Sequence, residues 1–173
     1  MCGVRGEKMY PIGAYIVKST NGVCKIKDIV NPDFVADSNK LYYKVMPLLD
    51  ESATLYIPVD KVNETMRLVM TESEADALLK KIPSINQIWI SNEKERERNY
   101  KQAIQSNNPE QLIGIIKLIY QRKKTRQEQG KKTTTVDGRY FNLAESLLYS
   151  ELELVLQKNK DEIYQMIKAI CED

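Results

Sequence analysis

The spacing of apolar positions changes near residue 71, and the change predicts two halves built on different rules. From Tyr10 to Val59, β-branched and aromatic side chains gather in short runs: Tyr15-Ile16-Val17, then Val23 to Val30 with Ile26 and Ile29, then Leu41 to Met46, then Ala53 to Ile57. Runs of this kind, bounded by turn-forming residues, read as strands. The breaks carry Thr20-Asn21-Gly22, Asn31-Pro32-Asp33 and Asp50-Glu51-Ser52, all of them turn signals. Four or five short strands with no helix between them predict a small antiparallel barrel or curled sheet.

Beyond residue 71 the period becomes helical. Thr71 with Glu74 three residues on is a capping-box signature, and Ala77, Leu78 and Ile82 follow at helical spacing until Pro83 ends the run. Residues 92–101 alternate in charge and read as an exposed helix laced by its own ion pairs. Asn108-Pro109-Glu110-Gln111 is a second start signal, with Leu112, Ile115, Ile116 and Ile119 as the buried face and Gly130 as the stop. At about 1.5 Å per residue that helix is roughly 30 Å long. Another long helix, from about Val136, carries Phe141, Ala144, Leu147, Leu148 and Leu152. Asn159 caps a last, amphipathic one through Ile163, Met166, Ile167 and Ile170. The map is therefore α+β, with a β module over residues 1–70 and an all-helical module over 71–173, and the apolar stripes are read as core.

Composition mainly excludes. The 173 residues are 42% hydrophobic and 29% charged, an ordinary globular balance, and no run of about 18 apolar residues could span a bilayer. Residues 1–8 lack the apolar stretch of a signal peptide, so a cytoplasmic location is expected. Cys2, Cys24 and Cys171 lie far apart with no CxxC pair, which predicts reduced thiols and no zinc site. The chain has no histidine, which removes the commonest general base, the commonest metal ligand and every Ser-His or Cys-His arrangement. Without a glycine-rich phosphate cradle either, the expectation is a non-enzyme with no catalytic residue, cofactor or metal.

Charge sharpens the picture further. Residues 113–139 hold Lys117, Arg122, Lys123, Lys124, Arg126, Lys131, Lys132 and Arg139 against Glu128 and Asp137, a local +6 within a net charge of +2. This is either a solvated helix end that complements the helix dipole or a patch that contacts phosphates. No helix-turn-helix, zinc finger or RNA-binding motif accompanies it, so contacts would go to backbone and groove shape. Trp89, the only tryptophan, stands in Ile88-Trp89-Ile90 and is either core or an apolar wedge against bases.

Several segments taken in order carry a likeness. They are Tyr10-Pro11-Ile12-Gly13, Asn21 to Ile26, Leu41 to Val45 and Thr54-Leu55-Tyr56-Ile57-Pro58, then Trp89, Arg96 and Tyr100-Lys101. Gln105 to Asn108, Leu118 to Lys123, Gly130 to Thr133, and Asp137 through Tyr140-Phe141 and Ala144 to Leu152 complete the series. Over roughly residues 9–157 the chain resembles the CarD family of bacterial transcription regulators, in the forms found in Gram-positive bacteria. Met9 then fits as the natural start, with residues 1–8 an extension.

The resemblance implies a Tudor- or SH3-like N-terminal β barrel that binds the β subunit of RNA polymerase, through Thr54, Leu55, Tyr56, Ile57 and Pro58. It implies a helical C-terminal domain that contacts promoter DNA upstream of the melted region and stabilises the open complex. Trp89 would be the wedge, and Arg96, Lys101, Arg122, Lys123, Lys124, Arg126, Lys131, Lys132 and Arg139 would contact DNA. The partners implied are RNA polymerase and promoter DNA, with no membrane, in a nucleoid-associated cytoplasmic protein. An RNA- or ribosome-associated interaction module with a basic helical face is the alternative. Which promoters respond, the sign of the effect and the oligomeric state stay open.

Overall fold

A computed structural model describes residues 9–36, 39–61 and 66–172. Cys2, the Cys171 side chain and the expected extension over residues 1–8 lie outside what it describes. The chain divides into two compact units, Met1–Val69 and Met70–Asp173.

The first unit is a curled antiparallel half-barrel of five strands: β1 (Tyr15–Lys18), β2 (Gly22–Val30), β3 (Tyr42–Pro47), β4 (Leu55–Pro58) and β5 (Met66–Leu68). Their order across the sheet is β4-β3-β2-β1-β5. The four expected strands are present, and β5, only three residues long, carries no periodic signal of its own. Gly22 closes the β1–β2 hairpin at φ +70, a left-handed angle that glycine adopts without the clash a Cβ would bring. A bulge between Ile26 and Asp28 bends β2 where the sheet curls. The concave face buries Ile16, Cys24, Ile26, Tyr43, Val45, Ile57 and Met66. Tyr43 keeps its hydroxyl satisfied by accepting from the Tyr10 N–H at 2.8 Å. Burial pushes the Cys24 thiol up to about 11, so this cysteine behaves as a small core residue.

The second unit is helical: α1 (Glu72–Lys81), α2 (Arg96–Gln105), α3 (Pro109–Glu128), α4 (Thr135–Leu156) and α5 (Lys160–Glu172). The start signals act as expected. Thr71 and Glu74 form a reciprocal capping box, and Asn108 Oδ1 accepts from the Glu110 N–H at 2.9 Å. The Gly130 stop is a Schellman motif, with Gly130 N–H on the Gln127 carbonyl and Lys131 N–H on that of Arg126.

Two expectations are corrected. Ala77 faces solvent, because the buried stripe is Ala75, Leu78 and Leu79 of α1 with Ile82 just after it, out of phase with Ala77. The alternating-charge stretch is not wholly exposed. It opens as a 3-10 turn at Glu93–Glu95 and continues into α2, where Tyr100 is buried together with Ala103 and Ile104 just beyond the stretch.

Candidate nucleic-acid and protein interfaces

Trp89 is 84% exposed, although Ile88 and Ile90 on either side pack against the helical core. The stretch that carries it lies along α3. The Ile88 N–H donates to the Gly114 carbonyl at 3.3 Å, and further on Arg122 donates to Glu93 at 2.6 Å. From Gly114 to Arg122 is about 12 Å at the helical rise, so residues 88–93 run beside α3 in the same direction.

Under this stretch sits a buried charge. Asp137 is 1% exposed at the third position of α4, where its N–H is taken by the Thr134 hydroxyl and its carboxylate turns inward. Oδ1 lies 3.2 Å from Arg96 Nε and accepts from the Tyr100 hydroxyl at 2.9 Å, while Oδ2 accepts from Arg122 Nε at 3.3 Å. Both arginines also pair with Glu93. Two cations thus face two carboxylates, which is the condition for burying charge without a large desolvation cost. The Arg122 hydrogen bond holds the Glu93 carboxyl below the usual carboxylate range. Burial, and then the bond to Asp137, push the Tyr100 hydroxyl up, so it stays a donor.

The basic residues expected to meet DNA fall into four groups. Arg96 and Arg122 are engaged inside the protein, around Asp137. Lys101 and Arg139 share the Glu97 carboxylate at 3.7 and 2.6 Å, with the Arg139 guanidinium over the Tyr140 ring. Arg126 hydrogen-bonds the Lys132 carbonyl at 2.8 Å and so ties down the loop after α3. Lys123, Lys124, Lys131 and Lys132 are exposed, and among the described residues no carboxylate pairs with them. Lys117, part of the +6 segment, instead caps the end of the turn after α1, donating to the Ile85 carbonyl at 2.6 Å.

The other candidate surface is an edge of the sheet. Strand β4 is terminal, and among the described residues nothing pairs with its outer side. The Val59 N–H bond to the Leu41 carbonyl, with Ile57 opposite Tyr43, sets the phase of the ladder: Leu55 and Ile57 bond inward to β3. Tyr56 therefore turns its N–H and C=O to the open edge, and Pro58 presents no N–H there at all. Ile57 is buried while Thr54 and Tyr56 are exposed on the opposite face. The Tyr56 ring meets Phe34 edge-on at 5.0 Å, and Phe34 is 70% exposed.

The pattern that defines the CarD-like/TRCF RID domain matches residues 10–70, almost the whole of this half-barrel. Residues 10–70 belong to that family. It is a family of RNA polymerase-interacting, non-enzymatic domains, which suggests RNA polymerase as a partner of the CarD-like unit. No match was found among curated proteins. No helix among the described residues is long and apolar enough to cross a membrane.

Sequence reasoning missed three participants. Phe34 lies outside every strand of the CarD-like domain, in a turn whose apolar content reads as incidental. Asp137 and Glu93 looked like ordinary acids in charged stretches, and the inward turn of Asp137 has no signal in the neighbouring residues.

Proposed function

We propose that the protein regulates transcription by bridging RNA polymerase and promoter DNA. The CarD-like domain docks on the polymerase β subunit along the open edge of β4, where Tyr56 offers main-chain groups for strand addition and a ring beside Phe34. The helical unit contacts DNA just upstream of the melted region, with Trp89 as the apolar wedge and Lys123, Lys124, Lys131 and Lys132 on phosphates. In this reading Arg96 and Arg122 hold the surface in shape instead of reaching for the backbone, and Lys101, Arg126 and Arg139 stand at its margin. Modest DNA affinity suffices, because the polymerase-bound domain keeps the helical unit at high local concentration.

The observation that carries the reading is Trp89, a large apolar ring held in solvent by two packed neighbours. An exposed tryptophan has little role in the core and much to offer an unstacked base. Trp89→Ala should leave the melting temperature nearly unchanged, yet shorten the lifetime of open promoter complexes by roughly 5- to 150-fold, the equivalent of about 1–3 kcal/mol of base stacking. An unchanged lifetime would sink the wedge. Tighter binding to RNA than to forked duplex DNA would favour an RNA-associated module instead.

A further inference from the structure

We propose that Gly114 is the positioning residue that sets how Trp89 is presented; its consequence for DNA rests on the wedge reading above, its structural content does not. Gly114 lies inside α3 with ordinary helical angles, so no unusual backbone conformation explains a glycine there. Helix interiors disfavour glycine, and a reason must come from what surrounds it. A Cβ built at Gly114 would stand 2.9 Å from Ile88 Cγ1 and 3.3 Å from the Asn86 carbonyl oxygen. The second contact is with backbone, so turning the Ile88 side chain away would relieve only the closer clash, and the Asn86 carbonyl would still have to give by a few tenths of an ångström. Its absence lets the stretch lie close enough for the Ile88 N–H to reach the Gly114 carbonyl.

The seat acts on Trp89 through its neighbours. With Ile88 lodged at Gly114 and Ile90 also packed on the core, the residue between them is turned outward. The Arg122 pair with Glu93 holds the same stretch further along α3. Trp89 is 84% exposed while Gly114 lies in the interior of α3, so the two positions can be substituted separately by experiment.

Because Trp89 is the only tryptophan, its fluorescence anisotropy in the full-length chain reports its freedom directly. Gly114→Ala should lower that anisotropy and speed exchange of the Ile88 amide by about tenfold or more, well below the melting temperature. Gly138→Ala, where an added Cβ meets nothing within 4 Å, should change neither reading. In an Ile88→Ala background the Gly114→Ala change should have less effect, because the closest clash is gone. If Gly114→Ala fails to fold, Ile88→Ala alone empties the seat and must loosen Trp89 by the same two readings. Unchanged anisotropy and exchange in whichever variant folds would overturn the proposal, whatever happens at promoters. If Trp89→Ala shortens open-complex lifetime, Gly114→Ala should shorten it too, by a smaller factor. A normal lifetime with a loosened Trp89 would overturn the functional half alone.

Discussion

Among the described residues the half-barrel buries no charged group, its interior being built from residues such as Ile16, Ile26, Val45 and Ile57, whereas the helical unit buries two carboxylates, Asp137 and Glu151. Each of these is answered: Asp137 by Arg96, Arg122 and Tyr100, Glu151 in part by the Met70 N–H at 2.8 Å. The contrast follows from how each kind of element satisfies its backbone. A sheet leaves unpaired main-chain groups at its edges, so the half-barrel can offer a partner the edge at β4, where among the described residues no strand pairs. Helices bond internally, and a helical surface must recognise through side chains. Presenting Trp89, and holding the stretch around it against α3, therefore takes a built support, and the buried ion cluster is part of it.

The largest test of this comparison is Asp137→Ala, which leaves Arg96 and Arg122 without their buried anion. It should destabilise the helical unit by about 3–5 kcal/mol in denaturant unfolding and leave the half-barrel transition where it was. A loss no greater than that of a typical surface change would mean the cluster supports nothing, and the contrast between the units would dissolve.

Smaller effects come from the surfaces themselves. Tyr56→Glu places a charge where an aromatic faces the open edge, and should weaken binding to polymerase by roughly 30-fold, the scale of an interface hot spot of about 2 kcal/mol. The sheet should stay folded by circular dichroism, since Tyr56 lies off the buried face. Replacing Lys123, Lys124, Lys131 and Lys132 by Ala should flatten the slope of log DNA affinity against log salt by up to about three and a half units, with little change in stability. An unaltered slope would leave these lysines as solvated surface and move the DNA contacts to Lys101, Arg126 and Arg139.

Much of the fold was legible because it depends on local chemistry. Thr71 with Glu74, Asn108-Pro109 and Gly130 act through hydrogen bonds that close within a turn, so the residues themselves announce where helices start and stop. The change from a strand-like to a helical period marked the two units for a similar reason: side-chain periodicity follows backbone geometry. Charge was harder to read. Within the single +6 segment, Lys117 caps a turn, Arg122 neutralises Asp137, Arg126 braces a loop and Lys123 is exposed, and nothing in the neighbouring residues distinguishes these fates.

By itself, then, the sequence determined the order of elements, their caps and turns, the absence of histidine chemistry, and a local excess of positive charge beside a lone tryptophan. Only the tertiary structure decided which of those charges are free and that Trp89 points outward between two inward isoleucines. It alone brought Gly114 under Ile88, and Asp137 to arginines 41 and 15 positions earlier in the chain. The reason is physical: a cap closes within a few residues of chain, whereas an ion pair or a close backbone approach depends on which helices meet, and that is set by the packing of the whole core.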